Sequence, residues 1–346
     1  MTRLATLFFL LSLIGGCDSQ NFGSSENAQG KVLETEFSAA KREAGEGDAL
    51  AQIRLGEMYA LGQGVPQDSI QAASWYRKAA EQGHENAQFR LGMMYFLHWP
   101  NFQRDYDQAA HWFKKAAKQS NVAAQSVLAG MYTKGQGVPL DDVEAAFWFR
   151  KSAEQGWGPS QFMLGARYAN GEGVPQDDVR AVYWYRKSAE QGDSLSQVNL
   201  GVMYKNGRGI PQNYALAMAW FRKAAEQDFT YGQLNLGLVY KNGEGIPQDY
   251  AQAAIWFRKA AQQGFASAQL HLGTLYANGQ GVPQDYIIAH KWFNLAASQG
   301  DTSAIKNRSL ISKEMTPQQI SEAQTAAREW SAKPINIIGM KMSPTR

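Results

Sequence analysis

The sequence predicts an all-α array of helical hairpins, and three observations carry that prediction. Tryptophan recurs at 75, 112, 148, 184, 220, 256 and 292, at one spacing of 37 residues and then five of 36. Alanine stands three residues before each of them, from Ala72 to Ala289, and Asp or Asn stands seven before, from Asp68 to Asp285. A fixed period between 20 and 50 residues marks a chain of supersecondary units that bury their apolar faces by stacking on neighbours.

The elements follow in chain order. Arg3 precedes an apolar run from Leu4 to Ile14 and then Gly15-Gly16. A bilayer span needs about 20 apolar residues, so this shorter run reads as a secretory signal over 1–16. Ile14-Gly15-Gly16-Cys17 resembles the bacterial lipobox, which implies cleavage before Cys17 and lipidation of its thiol; the alternative is a plain signal peptide beside a free cysteine. Residues 17–30 lack large apolar side chains apart from Phe22 and suit a flexible tether. Asp18 resembles an inner-membrane retention signal, so the expected location is a lipid anchor facing the periplasm, on the inner membrane or else the outer. Residues 31–45 read as a capping helix.

Within each unit, Ala51, Leu55 and Tyr59 fall at i, i+4 and i+8 and define one face of a first helix. Gly62-Gln63-Gly64-Val65-Pro66 then ends it, since glycine accepts a left-handed backbone and proline cannot continue a helix. Asp68 is placed to cap the second helix, with Gln71 completing a capping box; Asp105/Gln108, Asp141/Glu144 and Asp249/Gln252 repeat the spacing. The second helix carries Ala72, Trp75, Tyr76, Ala79 and Ala80, and closes at Gly83. Each tryptophan is expected to be buried between helices.

These residues resemble the Sel-one-like repeat family, short-period relatives of the tetratricopeptide repeat, over seven units in 46–300. The resemblance implies a right-handed α/α solenoid superhelix whose first helices line a concave face that holds protein partners. Beyond it, 301–333 read as a C-terminal capping pair, its second helix opened by Thr316-Pro317, and 334–346 as a loose tail.

Composition excludes several functions. The net charge of +3 gives no footprint for nucleic acid. Cys17 is the only cysteine, which rules out an intrachain disulfide and a cysteine zinc site, and the five histidines form no His-x-x-x-His pair. No cofactor, metal or catalytic role is therefore expected. Ser38-Ala39-Ala40-Lys41 spells Ser-x-x-Lys without its companion motifs. Some cysteine-rich relatives are described as β-lactamase-like hydrolases, and this chain lacks their cysteines. The basic pairs after the first six periodic tryptophans, Arg-Lys as in Arg77-Lys78 except for Lys114-Lys115, sit in last turns where cations favour the helix dipole, with attraction to anionic lipid as the alternative.

Candidate partner residues lie on the first-helix face opposite the core. Two before and two after the helical leucine stand Phe89, Met93, Phe162, Val198, Val202, Leu234 and Leu238. Five and six after it stand Phe96, Lys205, Asn206, Lys241 and Asn242. An apolar strip flanked by Lys and Asn suits a peptide; alternatively, the strip packs neighbouring first helices together. The second unit departs from the pattern with Phe96-Leu97-His98-Trp99-Pro100-Asn101-Phe102, where both loop glycines are missing. His98, Trp99 and Phe102 are either a binding site, for instance for envelope polymer, or an aromatic plug. A monomer is expected.

Overall fold

In a computed structural model, residues 26–330 are described; Cys17, the signal and most of the tether lie outside them, as does the tail from 331. Among the described residues there are seventeen α-helices and no strand. The first, Glu26–Gly45, begins earlier than expected, because 26–29 contain no helix breaker and join the capping helix instead of the tether. The paired helices of the seven repeats are Ala49–Leu61 and Ser69–Glu81, Glu85–Phe96 and Tyr106–Lys118, Val122–Lys134 and Asp142–Glu154, Gly158–Asn170 and Asp178–Glu190, Ser194–Asn206 and Tyr214–Glu226, Thr230–Asn242 and Tyr250–Gln262, and Ala266–Asn278 and Tyr286–Ser298. Thr302–Ile311 and Pro317–Arg328 follow, with Thr316 and Gln319 forming a complete capping box.

The helices form two compact units that divide after Arg104. The first holds the capping helix, repeat 1 and the first helix of repeat 2. The second holds an α/α solenoid of hairpins from Tyr106 onward. The division falls in the aberrant loop of repeat 2, the one that lacks the glycines found in the other six.

Three recurring devices hold the stack together, one within each hairpin and two between repeats. The residue after each tryptophan is deeply buried: Phe113, Phe221 and Phe257 are fully enclosed, and Tyr76, Phe149, Tyr185 and Phe293 nearly so. The ring of Phe221 lies against Gly201, where a Cβ would stand 2.6 Å from it, so the first helix needs glycine at that contact. The tryptophans divide instead. Trp112, Trp148 and Trp292 are buried, whereas Trp75, Trp184, Trp220 and Trp256 are half-buried, which corrects the expectation of uniform burial.

The second device is a buried glutamine. In repeat 5, Gln197 Nε2 donates to the Ala189 carbonyl of the preceding hairpin at 3.2 Å. Its Oε1 accepts from Gln227 Nε2 at 2.9 Å, at the end of its own second helix. The same pattern holds at Gln52, Gln125, Gln161 and Gln269. A buried amide with both ends satisfied orients one hairpin on the next, whereas an unpaired one would cost about 1–3 kcal/mol.

The third device is the loop itself. Gly173 has φ +69°, and a Cβ there would sit 1.8 Å from the Asp142 carbonyl at the start of the previous second helix. The loop therefore packs backbone on backbone, and only glycine fits.

Aspartate caps form as expected, with Asp68, Asp105 and Asp141 accepting two backbone N–H bonds each and Asp249 one. The reciprocal glutamine or glutamate arm does not form there. Glu144, for example, accepts instead from Trp148 Nε1 at 3.1 Å.

Candidate partner-binding face

In the second unit, Phe162, Val198, Val202, Leu234 and Leu238 are half-buried, and the Phe162 ring lies 6.0 Å from that of Tyr185 in its own second helix. Leu234 and Leu238 also pack against the core formed by Ala253, Phe257, Leu272 and their neighbours. Leu234 and Leu238 thus help to join neighbouring repeats, and all five side chains keep part of their surface in solvent.

The flanking polar residues are arranged differently from a simple clamp. Lys205 Nζ pairs with Glu244 at 2.9 Å, both side chains largely shielded. Asn242 Nδ2 donates to the other oxygen of Glu244 at 3.0 Å. Glu244 comes from the Gly243-Glu244-Gly245 loop, so two of the four clamp residues already hold a carboxylate of the chain itself. Lys241, half-buried, lies close enough to the His271 imidazole to disfavour its protonation, and Asn206 is exposed. Burial is the larger cause at His271, which is pushed down to about 4. Its ring stacks on Phe257 at 5.0 Å.

The first unit contains the remaining candidates. Met93 is only 5% exposed and is a packing residue, which corrects its assignment to a binding face. Phe89 and Phe96 are half-buried. In the aberrant loop, the Phe102 N–H donates to the Trp99 carbonyl at 3.2 Å, with Asn101 at φ +56° between them. Phe102 packs on Tyr95 with ring centroids 5.2 Å apart. Trp99 and Phe102 are both half-buried, His98 is exposed, and the loop closes on itself through the Trp99–Phe102 bridge.

The basic pairs are absorbed by structure. In the five pairs that contain an arginine, it donates to the tyrosine of the following first helix: Arg150 to Tyr168 at 2.8 Å, Arg186 to Tyr204 at 2.9 Å, Arg222 to Tyr240 at 2.9 Å and Arg258 to Tyr276 at 2.7 Å, with Arg77 and Tyr95 paired likewise. Lys78, Lys115, Lys223 and Lys259 lie over their own helix's tryptophan, at 3.7, 4.5, 4.1 and 4.2 Å, whereas Lys151 and Lys187 lie by the rings of Phe147 and Tyr183.

One residue escaped the sequence reading. Three places after the helical leucine, the repeats carry Met58, Met94, Met131, Arg167, Met203, Val239 and Leu275. Arg167, 1% exposed, donates to the Asp142 carboxylate at 3.0 Å and to Thr133 Oγ1 at 2.6 Å. A charge inside an otherwise apolar row was the signal that could have found it. Among the described residues, no three His, Cys, Asp or Glu side chains gather as a metal site.

The comparisons agree with this geometry. The family model described as Sel1 repeat matches residues 49–84, 86–121, 122–157, 158–193, 194–229, 230–265 and 266–301. Among solved structures, the chain is similar to a Sel1 repeat protein from Oxalobacter formigenes, with 34% identity over 89% of this chain and 86% of that one and a TM-score of 0.66. It is also similar to c5321, a protective antigen of uropathogenic Escherichia coli strains that displays an SLR fold, with 31% identity over 87% and 83% of the two chains and a TM-score of 0.41. No curated protein matches the chain.

Proposed function

The chain belongs to the Sel1 repeat family, whose members are typically non-enzymatic protein-interaction scaffolds, and from that premise we propose that it is a lipid-anchored adaptor in the periplasm. Its partner segment lies along the first helices of repeats 4 to 6. The observation that carries this reading is the half-exposed row of Phe162, Val198, Val202, Leu234 and Leu238, which continues across three repeats beside Lys241 and Asn206. The exposed part of this row is apolar area left in water, and a partner that covers it gains about 25 cal/mol per Å². An extended or helical peptide covers such a margin without rearranging the solenoid.

Two measurements test it. A photoreactive residue at Val202, introduced into the full chain in its host, is expected to give discrete protein adducts, while one at Leu216, an exposed second-helix site, gives none. Adducts at Leu216 alone would overturn the face. For the anchor, the wild-type chain is expected to take up a fatty-acid label that Cys17→Ser loses; undiminished label on the variant refutes lipidation at that cysteine.

A further inference from the structure

We propose that the outer face of the second helices of repeats 3 and 4 is a homodimer interface, with a second copy of this chain as its occupant. Five apolar side chains stand out there: Leu140 at 65% exposed, Val143 at 67%, Phe147 at 45%, Val179 at 66% and Tyr183 at 52%. They come from consecutive hairpins, and Gly173 seats the loop that leads to Val179 directly on the backbone of Asp142 and Val143.

This face departs from the repeat in a way that packing within the chain does not require. Where Leu140 stands, five other repeats carry glutamine, and Gln67, Gln212, Gln248 and Gln284 each donate to a first-helix carbonyl. Leu140 gives up that bond and places an apolar side chain in solvent. Phe147 and Tyr183 occupy the position held by Ser74, His111, Ala219, Ile255 and Lys291. The exposed residues together approach the few hundred Å² that mark the largest patch on an ordinary monomer, and such patches are commonly interfaces.

The charges say what covers it. Each helix starts acidic, at Asp142 and Glu144 in repeat 3 and Asp178 in repeat 4, and carries a lysine beyond its aromatic. Lys151 lies 5.8 Å from the Phe147 ring and Lys187 lies 5.9 Å from that of Tyr183. Asp142 and Asp178 are partly neutralised by Arg167 and Arg208, which leaves Glu144 as the exposed carboxylate of repeat 3. The face is therefore self-complementary when its helices run antiparallel. A two-fold axis across the helices brings the aromatics together and sets Lys151 of each copy at the acidic end of the other, the isologous pairing that closed dimers use. Glu154 and Glu190, one turn further on, then fall at the margin. The monomer expected from the sequence took no account of this face.

The test uses the full chain, co-expressed with two different tags and carrying a photoreactive residue at Phe147. The expected product is an adduct of twice the chain mass that contains both tags. Lys151→Glu should reduce its yield at least several-fold with melting unchanged, and adding Glu144→Lys should restore it. Adducts with other proteins only, no adduct at all, or a two-tag adduct indifferent to the charge reversals would each overturn the proposal.

Discussion

Phe221→Ala is expected to destabilise the second unit by about 3–5 kcal/mol, and Trp220→Ala by clearly less. The two residues are neighbours in one helix but meet different surroundings. Phe221 is fully enclosed and its ring fills the space that Gly201 leaves open on the partner helix. Removing it empties a cavity whose walls are helix backbone, so the site collapses poorly. Trp220 is half-buried and its ring supports Lys223 at 4.1 Å, so part of its area is in water already. Urea melts of the two variants decide the matter. In a stack coupled only through neighbours, the loss should also be largest in repeats 4 to 6, readable by hydrogen exchange. Equal costs for the two substitutions would mean that the tryptophan register, and not the residue after it, carries the core.

The repeat period, the hairpins and the caps were legible because each rests on local rules: helical spacing, an aspartate at the cap, glycine where the backbone turns left-handed. The row after the tryptophan was equally visible as Tyr or Phe in all seven repeats. In repeats 1 and 4 to 7 it points at the glycine of its own hairpin, a tertiary contact that periodicity does not report. The glutamine ladder was visible as a constant residue, yet its burial depends on two carbonyl and amide partners brought together by stacking. The site was less legible for the same reason. That Glu244 takes Lys205 and Asn242 follows from where one loop lands on the neighbouring repeat. The aberrant loop of repeat 2 is legible as a departure, but the Tyr95–Phe102 contact that anchors it is a tertiary one that spacing does not report.

Arg167→Ala and Arg167→Met are expected to behave oppositely, although both remove the same charge. Arg167 crosses from repeat 4 to repeat 3, where it holds the Asp142 carboxylate and the Thr133 hydroxyl with its guanidinium 5.4 Å from the Phe149 ring, and it donates at 3.3 Å to the Glu172 carbonyl of its own repeat. Truncation to alanine leaves a void against that ring and strips three acceptors of a donor, at a cost of about 3–4 kcal/mol. Methionine, which Met131 and Met203 supply at the same register position, refills the volume with an apolar chain. The Asp142 side chain is 45% exposed and can be rehydrated, so the lost ion pair costs little there. Replacing a buried ion pair by well-packed apolar residues is often neutral or stabilising, and Arg167→Met is expected within about 1 kcal/mol of the parent. Urea melts of both variants, with Thr133→Val as the partner change, make the comparison. If methionine proves as damaging as alanine, the hydrogen-bond network and not the filled volume joins repeats 3 and 4, and the departure from the apolar row is then a specific lock between those two hairpins.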